Sequence, residues 1–229
     1  MKPKNLKFPF DWESRAPLFA DGVLYVPKYY ALHEDWPKEE LWKELSVYPK
    51  VAIEYCSGNG TWIAERAKQD LSTLWIAVEK RFDRTRKIWS KKHNFFLKNL
   101  LIVCGEALTF TKHYLPDQCI DSIYVNFPDP WPKSRHAKNR LIQKPFIEEI
   151  SRISKDLAEA TFVTDDAPYS LQMIEEMQKG KWNSSLPDPF YQTYWSEYGE
   201  SYFDSLWREK KREIRYLQFT NHQQVPSFI

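Results

Sequence analysis

The chain has 229 residues, 42% of them hydrophobic and 28% charged, with a formal net charge of +2. That suffices for one α/β domain with a real core and is too apolar for a disordered chain. A mean hydropathy of −0.63 without a long apolar run argues against a membrane span, and Met1–Trp12 lacks the apolar segment of a secretory signal.

Cys56, Cys104 and Cys119 show no CxxC spacing and stand in apolar, strand-like surroundings. They read as buried reduced thiols, so neither a metal site nor a disulfide framework is expected, and the expected location is the cytoplasm. The net charge alone does not imply a nucleic-acid partner. The basic residues nevertheless cluster: Lys80, Arg81, Arg84, Arg86 and Lys87; Lys133, Arg135, Lys138 and Arg140; Arg208, Lys210, Lys211 and Arg212. Each cluster reads as a solvated face or as a phosphate-binding surface.

Residues 1–36 are rich in aromatics and prolines without a clear period, and read as an irregular extension. Pro37 opens a helix through Leu45, a position where its missing N–H costs nothing. An alternating series follows. Strands are expected at Lys50–Tyr55, Leu74–Val78, Leu100–Cys104, Ile120–Asn126 and Ala160–Thr164. Helices are expected at Thr61–Lys68, Asp83–Leu97, Glu106–Tyr114, Leu141–Ile153 and Pro168–Lys179. This order predicts a doubly wound α/β domain over 37–229, mostly parallel, with helices on both faces. The tail differs: 181–198 is polar and aromatic, and Glu213–Phe219 alternates in strand fashion, which predicts a terminal antiparallel hairpin.

Three motifs carry the chemistry. The first, Ile53–Gly60, joins strand to helix through Gly58 and Gly60, where backbone must approach a ligand closely. The second is Glu79, at the end of the next strand, where an acid bonds a ribose diol in nucleotide-binding sheets. Glu54 precedes the glycines and would repel a pyrophosphate but suit a cationic ligand, and Cys56 stands where the dinucleotide pattern has its first glycine. Both points favour the sulfonium S-adenosylmethionine over a dinucleotide.

The third motif runs from Asp121–Asn126, an apolar strand, into Phe127-Pro128-Asp129-Pro130-Trp131-Pro132-Lys133. Its three prolines stiffen a loop that cannot join the ladder. The loop holds a carboxylate, Asp129, and an indole, Trp131, at the carboxyl edge of the sheet, where ligands bind. A flat ring beside an acceptor suits a purine base, and Lys133, Arg135 and His136 follow where phosphates would need them. His136 reads equally as a neutral surface residue.

The stretch Phe127–Leu141, FPDPWPKSRHAKNRL, closely resembles the signature of the bacterial tRNA (guanine-N7)-methyltransferases. A weaker likeness extends from about Val51 through Tyr169 and into the tail. The resemblance implies a Rossmann-like class I methyltransferase with a mostly parallel seven-stranded sheet. It implies S-adenosylmethionine as methyl donor and guanine in the tRNA variable loop as substrate. By the family pattern Glu54, Glu79 and Glu106 would contact the cofactor, with Gly58 and Gly60 in its turn. Asp129 would be the catalytic-site acid, shared with the cofactor pocket. Lys133, Asp165 and a late Thr-x-x-Glu element, here Ser201–Asp204, would contact tRNA. The chain departs from the pattern at Cys56, a glycine in the family, and at Glu106, usually Asp; Asn139 interrupts a usually more basic run.

Guanine N7 has a lone pair and no proton to lose, so the expected catalysis is placement and electrostatics rather than base catalysis. Alternatives from other classes are a non-catalytic RNA-binding or partner-activating protein on the same fold, a methyltransferase for another base position, and a nicotinamide-dependent dehydrogenase. The oligomeric expectation is a monomer or homodimer.

Overall fold

Alternation of β-branched runs with amphipathic segments produces the expected βα series, and the chain's two ends extend it. The computed structural model describes residues 1–10, 15–199 and 201–222. Residues 11–14 of the expected extension and 223–229 of the expected domain lie outside the described residues. In chain order the strands are β1 (Leu18–Ala20), β2 (Val23–Val26), β3 (Lys50–Tyr55), β4 (Thr73–Glu79), β5 (Leu100–Gly105), β6 (Ile120–Asn126), β7 (Ser154–Thr164), β8 (Trp182–Ser184) and β9 (Arg215–Asn221). The helices are α1 (Glu39–Val47), α2 (Thr61–Gln69), α3 (Phe82–Asn94), α4 (Ala107–Tyr114), α5 (Lys144–Ile153), α6 (Ala167–Gln178) and α7 (Tyr202–Glu209).

The sheet order is β1-β2-β5-β4-β3-β6-β7-β9-β8. The six strands from β2 to β7 in this order are parallel neighbours, while β1, β9 and β8 pair antiparallel at the two ends. The chain leaves β3 first toward β4 and β5, then returns to its other side with β6. That reversal between β3 and β6 opens a crevice beyond their carboxyl ends.

Period-two alternation decides which face each side chain takes. Val51, Ile53 and Tyr55 of β3 join the core under α1, α4, α5 and α6. Ala52 joins the core under α2 and α3, and Glu54 points the same way. On β6, Ile123 and Val125 face the first core, whereas Tyr124 packs against the second. Asn126 shares the face of Tyr124. α5 shows the helical counterpart: Phe146, Ile147, Ile150 and Ile153 form one buried stripe, each side chain contributing about 1.5–3 kcal/mol of burial.

The structure corrects three expectations and refines a fourth. The sheet has nine strands rather than seven. The stretch 1–36 is not irregular throughout, because β2 is wholly buried and pairs with β5; its four-residue run between Gly22 and Pro27 is too short to show a period. The tail pairs antiparallel as expected, but as a three-strand edge, β7-β9-β8, with α7 inserted between β8 and β9. Finally, α7 itself was not expected; Ser201 Oγ caps it by accepting from Asp204 N at 3.1 Å. No helix among the described residues is long and apolar enough to cross a membrane.

Candidate active site

The turn after β3 is built on left-handed backbone. Cys56, Gly58 and Gly60 have φ of 61°, 55° and 71°. A Cβ on Gly60 would stand 2.7 Å from Ile88 Cγ1 of α3, so that glycine is required twice over. Cys56 occupies such a position with a side chain, which explains why glycine suits it and why cysteine is strained there. Burial pushes its thiol far above the ordinary range, so it is no nucleophile.

Glu79 closes the turn from β4. Its Oε2 accepts from Gly58 N and its Oε1 from Arg81 N, both at 2.9 Å. Each oxygen keeps a second lone pair, which a diol can use. Burial raises its carboxyl above the usual range despite these bonds. Glu106 caps α4: its Oε2 accepts from Thr109 N at 3.3 Å, and its Oε1 pairs with Lys28 Nζ at 3.1 Å. Burial pushes the Glu106 carboxyl up, but Thr109 and Lys28 outweigh it and leave it below the usual range.

Glu54 is buried on the α2–α3 face. Its Oε1 accepts from Asn126 Nδ2 at 2.6 Å, while its buried Oε2 has no partner. Burial dominates and pushes its carboxyl up to about 7. Glu54 lines a notch of about 10 Å³ together with Gly58, Ser201 and Phe203. Phe203 approaches to 3.5 Å from where a Gly58 Cβ would sit.

The loop after β6 turns sharply through two further left-handed residues, Phe127 (φ 48°) and Trp131 (φ 43°). It projects Asp129 and Trp131 into a cleft of about 820 Å³ that also contains Glu79, Lys80, Glu106 and Lys28. Lys80 Nζ lies 2.8 Å from Asp129 Oδ2. Arg140 braces the loop by donating to the Pro130 carbonyl at 2.7 Å and stacking on Tyr169. Lys133 and Arg135 are exposed. Arg135 Nε donates to His136 Nε2 at 3.2 Å, and the His136 ring meets Trp131 edge-on at 5.9 Å.

The remaining expected residues sit beside this cleft. Asp165, past the end of β7, is paired with Arg212. Asp204 is buried: its Oδ1 accepts from Arg208 Nε at 2.6 Å and its Oδ2 from the Tyr216 hydroxyl at 2.5 Å. It therefore ties α7 to β9, and Ser201 caps α7 rather than facing solvent. The fold thus gathers Glu79, Glu106, Asp129 and Trp131 in the cleft, with Glu54 and Ser201 in the adjoining notch. Asp165 and Asp204 line neither.

Sequence reasoning missed Lys28, Lys80 as the partner of Asp129, Asn126, Tyr198 and Phe203. Asn126 had a readable signal, a polar residue ending an apolar strand. Phe8 and Phe10, packed with Tyr25 and Phe82, form a further cleft wall, and only the tertiary fold brings them there.

The family described as "Putative methyltransferase" matches residues 49–214. A curated tRNA (guanine-N(7)-)-methyltransferase from Chlamydia pneumoniae is 47% identical over 219 residues, covering 96% of this chain and 97% of the relative. One from Leptospira interrogans is 28% identical, covering 90% and 95%. Among solved structures, the 16S rRNA methyltransferase KamB superposes with a TM-score of 0.63 at 14% identity, covering 82% of this chain and 95% of that one. An antibiotic-related methyltransferase gives 0.61 at 20% identity, covering 82% and 96%. At such identities the two structures establish the fold alone; the match at 47% identity along nearly the whole length establishes the family. The chain belongs to the tRNA (guanine-N(7)-)-methyltransferase family.

Proposed function

We propose that the chain methylates N7 of a guanine in the tRNA variable loop, with S-adenosylmethionine as donor. The observation that carries this reading is the loop Phe127–Lys133, which presents a carboxylate and an indole to the cleft that Glu79 and Glu106 enter from the neighbouring strands. A cleft of about 820 Å³ has room for a nucleoside and a flat base together. The unpaired Oε2 of Glu54 offers a buried anion where an amino group would be satisfied.

Glu54 would hold the amino group of S-adenosylmethionine, Glu79 its ribose diol, and Glu106 its adenine edge. The donor would supply a methyl group activated by positive sulfur, and guanine N7, which has a lone pair and no proton to lose, would accept it without a general base. Trp131 offers a face for the base, and Asp129 lies where positive charge develops on the purine. Lys80 keeps the Asp129 carboxylate in place between turnovers. Lys133 and Arg135 are exposed where they can meet phosphates.

Methyl transfer to unmodified tRNA followed by nucleoside analysis tests the reading. The expected product is 7-methylguanosine. Any other methylated nucleoside, or no product from protein that takes up the donor, overturns it.

A further inference from the structure

Tyr198 lies on the segment between β8 and α7. Its ring stacks on Trp62 of α2, with centroids 5.1 Å apart at 25°. Trp62 Nε1 donates to the Tyr198 carbonyl at 2.8 Å, and Arg66 donates to the same carbonyl. The Tyr198 hydroxyl donates to Asn126 Oδ1 at 2.6 Å, and Asn126 Nδ2 donates to Glu54 Oε1 at 2.6 Å. All three residues are buried. The relay spans three elements far apart in sequence and ends on the carboxylate whose other oxygen is unpaired.

We propose that Tyr198 is a positioning residue for donor binding: its hydroxyl locks the Asn126 amide so that the amide N–H faces Glu54 and holds that carboxylate anionic. The proposal rests on the cofactor reading above. An amide can sit in either of two orientations, and its neighbours decide between them. In the observed one, the Tyr198 proton and the Asn126 N–H each have an acceptor. In the reverse one, Asn126 Oδ1 faces a Glu54 oxygen, which requires a protonated Glu54, and the Tyr198 proton loses its acceptor. A buried stranded donor is costly, so the hydroxyl selects the first. Burial holds the Tyr198 phenol well above its ordinary range, so it remains a donor.

The groups facing Glu54 from each packed element define the electrostatics. Asn126 comes from β6 and Glu79 from β4, the latter adding repulsion. Cys56 and Ser57 come from the turn, Ser57 donating to the Glu54 carbonyl at 2.9 Å. Arg66 of α2 lies behind Tyr198, and Ser201 and Tyr202 close the notch. Burial pushes Glu54 up, and Asn126 first and then Ser57 oppose it. Removing the lock weakens that opposition, so Glu54 takes up a proton more readily and the site loses its anion at acidic pH first.

The test is calorimetric titration with S-adenosylhomocysteine, which carries the same amino group, between about pH 6 and about pH 8.5. Tyr198→Phe keeps the stacked ring and removes only the hydroxyl. It is expected to weaken binding about tenfold at the acidic end, with the gap closing toward the alkaline end, where Glu54 ionises unaided. Asn126→Ala breaks the relay at its middle and carries the same expectation, should the first variant fold poorly. In a Glu54→Gln background the Tyr198 substitution is expected to cost less than about twofold. An equal loss at every pH, no loss at all, or an undiminished loss in the Glu54→Gln background overturns the proposal. Wild-type protein that binds no ligand at any pH overturns the cofactor reading instead.

Discussion

Lys80 Nζ lies 2.8 Å from Asp129 Oδ2, joining the residue after β4 to the loop after β6 across the mouth of the cleft. Both side chains are more than half exposed, so the pair is worth at most about 1 kcal/mol of stability. Its consequence is placement. The carboxylate is held over the same cleft as Glu79 without being buried, and a purine that gains positive charge on methylation can compete for it. Asp129→Ala is therefore expected to lower turnover by about a hundredfold or more while ligand affinity changes less than tenfold. Single-turnover methyl transfer alongside calorimetry separates the two, and turnover near wild type would remove Asp129 from the mechanism.

The backbone at Cys56 makes an unusual ordering of substitutions. Its φ of 61° favours glycine, and a β-branched side chain is worst there. Cys56→Gly is expected to change stability by no more than about 1 kcal/mol, because relief of strain offsets lost packing and gained unfolded-state freedom. Cys56→Val is expected to cost about 2 kcal/mol or more although valine is the better core residue. Gly60→Ala should fall with the second, since its Cβ meets Ile88 at 2.7 Å. Denaturant unfolding ranks all three, and a valine variant as stable as the glycine one would refute the strain argument.

Among the described residues, Lys133 makes no ion pair, whereas Arg212 of the third basic cluster is taken up by Asp165 and by the Trp207 ring. Lys133→Ala is expected to weaken tRNA binding and to reduce the slope of log affinity against log salt by about 1. Arg140→Ala should act differently. It removes the brace on Pro130 and so should lower turnover more than it changes the salt slope. Filter binding at several salt concentrations reads the two slopes, and single-turnover methyl transfer reads the loss of rate.

Glu54 ties stability to pH in the opposite sense from a salt-bridged acid. Its folded value is pushed up to about 7 by burial, above that of the unfolded chain. Between the two values the folded protein binds more protons, so stability falls as pH rises through that window. At about pH 8 the ligand-free protein carries a buried anion with one unpaired oxygen, at a cost on the order of 3 kcal/mol. Glu54→Gln should raise the ligand-free Tm at that pH, leave it nearly unchanged at about pH 5, and weaken donor binding while leaving it measurable. A Tm difference that does not depend on pH would show that Glu54 is not the titrating group.

Much of this protein is legible in its sequence because local chemistry is self-sufficient there. The strands β3 to β7 announce themselves as buried apolar runs, and the glycine turn, Glu79 and the proline-stiffened loop mark the carboxyl edge that a βα series must create. Three prolines restrict Phe127–Lys133 whatever surrounds it. β2 and α7 lack that autonomy. The first is four residues long, and the second needs Ser201 as its cap and Asp204 tied to Tyr216 of β9.

Periodicity, proline and glycine act within a few residues, so the doubly wound order, the acids at the strand ends and the loop that presents Asp129 and Trp131 can all be read along the chain. That Lys80 faces Asp129, that Phe203 closes on Gly58, and that Tyr198 reaches Glu54 through Asn126 follows from the packed fold alone. Those contacts join residues 49 to 145 positions apart, and no local propensity encodes them. They depend on which face of the sheet each strand presents and on which segment is folded over it.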